Sequence, residues 1–99
     1  MEKRLAVVSI IVTNRHSVES LNSILSDYGG MILGRLGLPL HERHINVIVV
    51  VLDADTDTLG ALTGRVGRLD GVMVKSLVNK GTGGNNAGKP QANESNGGL

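Results

Sequence analysis

The residues with the most obvious chemical capacity are His41-Glu42-Arg43-His44, with His16 as the third histidine of the chain. The metalloprotease pattern HExxH would need its second histidine at position 45, where Ile45 stands. In an extended segment, side chains three apart point to opposite faces, so His41 and His44 would hold one ion poorly. His16 would have to join them across the fold or across an interface between copies. The spacing therefore reads as a solvated turn, and no metal site is expected. Asp53, Asp55 and Asp57 alternate where a strand gives way to a helix, the usual place for capping carboxylates. Ser9 lies within a strand with no histidine near it in sequence, and Ser17 is too close to His16 for a triad. No acid–base pair can be assigned. The chain has no cysteine, which removes thiolate nucleophiles, disulfides and thiolate metal sites. It is expected not to be an enzyme, with no catalytic residue and no cofactor.

Composition narrows the partners further. Tyr28 is the only Phe, Trp or Tyr in the 99 residues. Base-stacking modes of nucleic-acid binding need aromatic platforms. Ten basic against nine acidic residues give a net charge of +1, with no electrostatic footprint for nucleic acid or a membrane surface. Met1-Glu2-Lys3-Arg4 before Leu5 to Val12 faintly resembles a signal sequence. Its apolar run is short, and no small-residue cleavage site follows. No stretch approaches the ~20 apolar residues of a membrane helix. A cytoplasmic location is expected.

The elements that must position any site follow from the change of period along the chain. Leu5 to Thr13 is β-branched and apolar on both faces, as in a central strand. Val18, Leu21, Ile24, Leu25 and Tyr28 recur at helical spacing. Asn14 or Ser17 caps that helix, and Gly29-Gly30 ends it. Met31 to Leu38 is a second strand, its end placed at a turn or a sheet edge because Pro39 lacks a ladder donor. Ile45 to Ala54 is the strongest strand. Asp55, Thr56 and Asp57 open a second helix with its stripe at Leu59, Leu62, Val66 and Leu69. Asp70-Gly71 turns the chain into a last strand, Val72 to Val78. The mid-helix glycines Gly60 and Gly64 each cost roughly 1 kcal/mol against alanine. They imply a close approach by the sheet or another helix; Gly67 begins the helix end.

The order β-α-β-β-α-β is the split βαβ arrangement: an α+β, ferredoxin-like fold with a four-stranded antiparallel sheet and two helices on one face. The domain spans residues 1–78. Residues 79–99 carry six of the fourteen glycines, five asparagines and only Ala87, Ala92 and Leu99 as apolar residues. Burial there cannot offset ordering entropy, so a disordered tail is expected. The two helices shelter one sheet face, yet both parities of the first and third strands are apolar. Such a face calls for cover. A domain this small buries only about 60–65% of its surface and lacks disulfides, so self-association is the natural device. A homodimer or homotetramer through the sheet is expected.

Two stretches, Ile32 to Pro39 and Asp57 to Lys75, carry a family resemblance. The first contains Arg35-Leu36-Gly37-Leu38-Pro39. The second contains Thr58-Leu59-Gly60-Ala61-Leu62-Thr63-Gly64-Arg65-Val66-Gly67 and then Gly71-Val72. Over residues 4–78 the chain resembles the proposed regulators of the iron-only hydrogenase system. These are small ACT-like proteins related in fold to the C-terminal domain of nickel-responsive repressors. The resemblance implies an ACT-like fold, self-association and a regulatory role. ACT domains bind small ligands near the first strand–helix loop, here Thr13-Asn14-Arg15-His16-Ser17. It thereby implies a pocket of Asn14, Arg15 and His16, with Arg35 and Gly37 contributed by a neighbour. The His and Cys metal ligands of the nickel repressors are not carried over, because this chain has no cysteine. No DNA-binding arm is present, so control of transcription would need a protein partner.

The reading is a small self-associating, ligand-sensing regulatory module. It expects a small-molecule effector and a protein partner, and no direct contact with nucleic acid or membrane. Two alternatives stay open. One is a structural or protein-interaction subunit without a small ligand. The other is a metal sensor built on the three histidines.

Overall fold

A computed structural model describes residues 2–79 of the 99. Four strands and two helices follow in the expected order: β1 (Arg4–Val12), α1 (Val18–Asp27), β2 (Ile32–Leu40), β3 (Ile45–Ala54), α2 (Thr56–Gly67) and β4 (Val72–Val78). Short 3-10 turns at Arg15–Ser17, Gly29–Met31 and His41–Arg43 join them. All pairings are antiparallel, in the order β2-β3-β1-β4. This is the ferredoxin-like α+β arrangement. Of the tail expected over residues 79–99, all but Asn79 lies outside the described residues. Asn79 itself still belongs to the ladder, its N–H donating to the Leu5 carbonyl at 2.9 Å.

The core lies between helices and sheet. Strand period two sends Ala6, Val8, Ile10 and Val12 of β1, and Ile48, Val50, Leu52 and Ala54 of β3, to the helix side. Leu21, Ile24 and Leu25 of α1 and Leu59, Leu62 and Val66 of α2 close over them. Asp55 caps α2 by accepting the Thr58 N–H at 2.7 Å. Ser17 stands at the N-cap of α1 but makes no capping bond there; its hydroxyl goes elsewhere. Gly29-Gly30 end α1 by entering a 3-10 turn, not through a left-handed glycine. Between the helices, Arg65 Nη2 donates to Asp27 Oδ2 at 3.0 Å, and its guanidinium sits 5.6 Å from the Tyr28 ring centre.

The glycines of α2 differ from expectation. A Cβ built on Gly60 or Gly64 meets nothing within 4 Å, so no element of this chain presses on them. Both lie on the exposed side of a helix whose apolar stripe points the other way. Gly67, which ends α2, is the one with a neighbour: its Cβ would lie 3.4 Å from Val74 Cγ1.

The register of the outer sheet face can be read in rows. Leu38, Val47, Ile11 and Met73 stand side by side across the four strands. Leu36, Val49, Ser9 and Lys75 form the next row, and Gly34, Val51, Val7 and Leu77 the one after. Leu36, Met73 and Leu77 are 62%, 59% and 72% exposed. Four strands ~4.8 Å apart and three rows deep project on the order of 400 Å², as large as the biggest patch on a typical monomer. Pro39 sits on edge strand β2, where its missing donor costs no internal bond.

Candidate functional site

One end of the sheet gathers several polar side chains, some bonded and some not. The chain leaves β1 at Thr13 and is clamped at once to the α2–β4 turn. Thr13 donates twice to the Gly71 carbonyl, from its N–H at 2.7 Å and from its hydroxyl at 3.0 Å. Asn14 Nδ2 donates to Asp70 Oδ2 at 2.6 Å, while Asn14 Oδ1 accepts the His16 N–H at 2.9 Å. Ser17 Oγ donates to the Asp70 carbonyl at 2.6 Å. Gly71 has φ +71, and a Cβ there would lie 2.6 Å from Asn14 Cβ and 2.9 Å from Asn14 N. Only glycine permits so close an approach in a left-handed backbone.

This clamp fixes the loop that carries Arg15. The opposing wall is the β2–β3 connector. His41–Arg43 forms a 3-10 turn, and His44 takes a left-handed conformation, φ 56 and ψ 39, its N–H donating to the His41 carbonyl at 3.1 Å. The pairing of Val12 with Asn46 sets the start of β3 beside the end of β1. Thr13 and Arg15 on one side, with Leu40, His41, His44, Ile45 and Asn46 on the other, line an open cleft of about 320 Å³. The expectation that His41 and His44 point to opposite faces is corrected here. It assumed extended backbone, whereas the folded turn brings both to one cleft.

The residues expected to form a ligand site are distributed as follows. Arg15 lines the cleft. Asn14 is adjacent, but its side-chain amide is committed at both ends. His16 is exposed on the same turn and does not line the cleft. Arg35 lies on edge strand β2, where its Nη2 donates to Asn22 Oδ1 of α1 at 3.1 Å. Gly37 pairs with Ile48 on that strand, with open space beside its Cα. Within one chain, then, Arg15 stands apart from Arg35 and Gly37. His41 and His44, weighed in the sequence only as metal ligands, and Asn46 are cleft residues that the expected ligand set leaves out. The order of elements carried the signal: in a βαββαβ fold the β2–β3 connector and the β1–α1 loop share one end of the sheet.

The side chains of Arg15, His41, His44 and Asn46 have no hydrogen bond or ion pair among the described residues. No group of three or more His, Cys, Asp or Glu gathers as a metal cluster among those residues. Of the alternating aspartates, Asp55 has its carboxyl pKa lowered, first by the Thr58 backbone N–H and then by the Thr58 side chain. That is a capping role. The cleft thus offers hydrogen-bond donors and one fixed positive charge, beside the apolar walls of Leu40 and Ile45. No helix among the described residues is long and apolar enough to cross a membrane.

The chain is similar to known proteins over most of the described residues. The family model described as "TM1266-like: Iron-only hydrogenase system regulator, putative" matches residues 4–76. The structure of the uncharacterized protein TM1266 from Thermotoga maritima is similar over 80% of this chain and 100% of that one, at 36% identity and a TM-score of 0.76. An unknown protein from Galdieria sulphuraria shares the fold at 14% identity and a TM-score of 0.57, over 80% of this chain and 46% of its own. No curated protein matches the sequence significantly. The chain belongs to the TM1266-like family.

Proposed function

We propose that this member of the TM1266-like family is a non-enzymatic regulatory subunit. It self-associates through the outer face of its sheet and senses a small effector at the end of β1. The family description supplies the regulatory role and its link to an iron-only hydrogenase system. The observation that carries the self-association is the row of Leu38, Val47, Ile11 and Met73, flanked by Leu36, Val49, Val51, Val7 and Leu77, on the face away from α1 and α2.

A second copy suits that face better than other occupants do. Its charges are few and opposite, Lys75 on β4 and Asp53 on β3, so a two-fold pairing meets no large like-charge field. The chain beyond Asn79 offers only Ala87, Ala92 and Leu99 as apolar cover. The interface would bury mostly leucine and valine, as homodimer cores do. In the assembled form, Asn14, Arg15 and His16 of one copy, with Arg35 and Gly37 of another, remain the proposed effector-binding set; a change in its occupancy would bias the assembly or the partner it controls.

The test is solution mass by light scattering across micromolar to millimolar concentration. A dimer or tetramer is expected, becoming monomeric but still folded in Leu36→Glu/Leu77→Glu. A wild-type chain that stays monomeric throughout overturns the reading.

A further inference from the structure

The chemistry of the cleft between the β1–α1 loop and the β2–β3 connector narrows the effector to a class. We propose that it binds a small oxyanion, a phosphoryl or carboxylate group carried on a compact organic body. This rests on the effector-sensing reading given above.

The case begins with hydrogen-bond capacity. A guanidinium has five N–H donors and no acceptor, and each imidazole supplies at least one donor. Arg65 and Arg35 spend donors on Asp27 and Asn22. Arg15 spends none on the described residues, and neither do the neighbouring His41, His44 and Asn46 side chains. Around this one concavity, then, stand four polar side chains with unspent donors, and Arg15 among them can only donate. Thr13 adds no further donor, because its hydroxyl proton goes to Gly71.

Charge decides the sign of the ligand. No carboxylate lines the cleft, and Arg15 gives it a permanent positive charge. A divalent cation held by His41 and His44 would face that guanidinium with no acidic ligand to offset it, and no third histidine joins them there. An oxyanion meets the opposite situation: Arg15 offers a bidentate fork suited to phosphate or carboxylate. Size agrees with a compact ligand. About 320 Å³ is at the small end of ligand pockets and exceeds the needs of a bare oxyanion. Leu40 and Ile45 give the remainder of the molecule an apolar wall. The clamp of Thr13, Asn14 and Ser17 onto Asp70-Gly71 holds the Arg15 loop in place beforehand, which lowers the ordering cost of binding.

The other large concavity does not share these features. It wraps the β4 edge at Ile11, Gly67, Val72, Met73 and Val74, with Lys75 as its one charge, and is continuous with the outer face.

The test uses the full chain and amide NMR at constant ionic strength in chloride. Inorganic phosphate, malonate, glycerol and zinc chloride are titrated separately. Saturable shifts centred on Arg15, His41, His44 and Asn46 are expected with phosphate or malonate. Whichever anion saturates identifies the source of the oxyanion, and both saturating means the site reads the shared chemistry. Arg15→Gln should weaken binding by about 10-fold or more, with the rest of the spectrum unchanged, and Lys3→Gln should leave it intact. Silence with both anions, or saturation that Arg15→Gln does not alter, overturns the proposal. Glycerol, which carries no charge, shifting the same amides while the anions stay silent overturns the oxyanion class but preserves effector sensing. Zinc saturating His41 and His44 with the anions silent overturns it in favour of a metal site. The oligomer measurement fails or succeeds independently of all four titrations.

Discussion

Ser17 Oγ donates to the main-chain carbonyl of Asp70 at 2.6 Å, joining the start of α1 to the turn before β4 across 53 residues of sequence. Ser17 is also the buried polar residue among the described ones, at 7% exposure. A helix-capping residue by type has become a tertiary fastener. The bond lies two residues along the chain from Arg15, so the same contact that stabilises the fold also anchors the loop that carries this cleft residue.

Ser17→Ala should therefore destabilise the chain by about 1 kcal/mol, the net worth of a part-buried hydrogen bond. Urea denaturation measures it. Amide shifts confined to residues 13–17 and 70–72 would show that the loss is local to the clamp; an unchanged midpoint would mean the bond contributes nothing.

Gly71→Ala should cost more, on the order of 3 kcal/mol, because left-handed strain adds to overlap with backbone. The new Cβ would fall 2.9 Å from Asn14 N, a contact that no side-chain rotation relieves. A denaturation midpoint within error of wild type would contradict the turn geometry.

Gly60→Ala and Gly64→Ala should each stabilise the chain by about 0.5–1 kcal/mol, since alanine favours the helix and its methyl meets open space. Thermal melting of each single variant gives the sign. If either variant lowers the melting temperature while also shifting the oligomer toward monomer, the exposed side of α2 packs against another copy.

Asp55 sets a pH dependence. Its carboxyl titrates below the ordinary value because the folded state supplies the Thr58 N–H as a donor. The unfolded chain therefore takes up the proton first as pH falls. The capping contribution is fully present above about pH 4–5 and is lost as pH drops from the ordinary value, about 3.9, through the folded one. Asp55→Asn keeps a cap but should flatten this acid limb of stability, while Asp55→Ala should lower the melting temperature by a few degrees at neutral pH. An identical acid limb in Asp55→Asn would assign the dependence to other groups.

Much of the architecture was legible before any coordinates. The parities of Ala6–Val12 and Ile48–Ala54, the stripe at Leu21, Ile24 and Leu25, and Asp55 as a cap are local properties. Each follows from residue types at period 2 or 3.6, which neighbours in sequence largely determine. The surplus of apolar residues on the outer parity, Val7, Ile11, Val47, Val49 and Val51, was likewise visible as a pattern.

What tertiary structure decided was adjacency. Nothing in His41-Glu42-Arg43-His44 reveals that a 3-10 turn and a left-handed His44 would bring both histidines to one cleft with Arg15, 26 residues or more away in sequence. Nor does the α2 sequence show that Gly60 and Gly64 face open space, or that Ser17 would bond to Asp70. Residue type governs which conformations a segment prefers; which segments meet is settled by the packing of helices on the sheet. A site assembled from loops at one end of that sheet is therefore written in the topology.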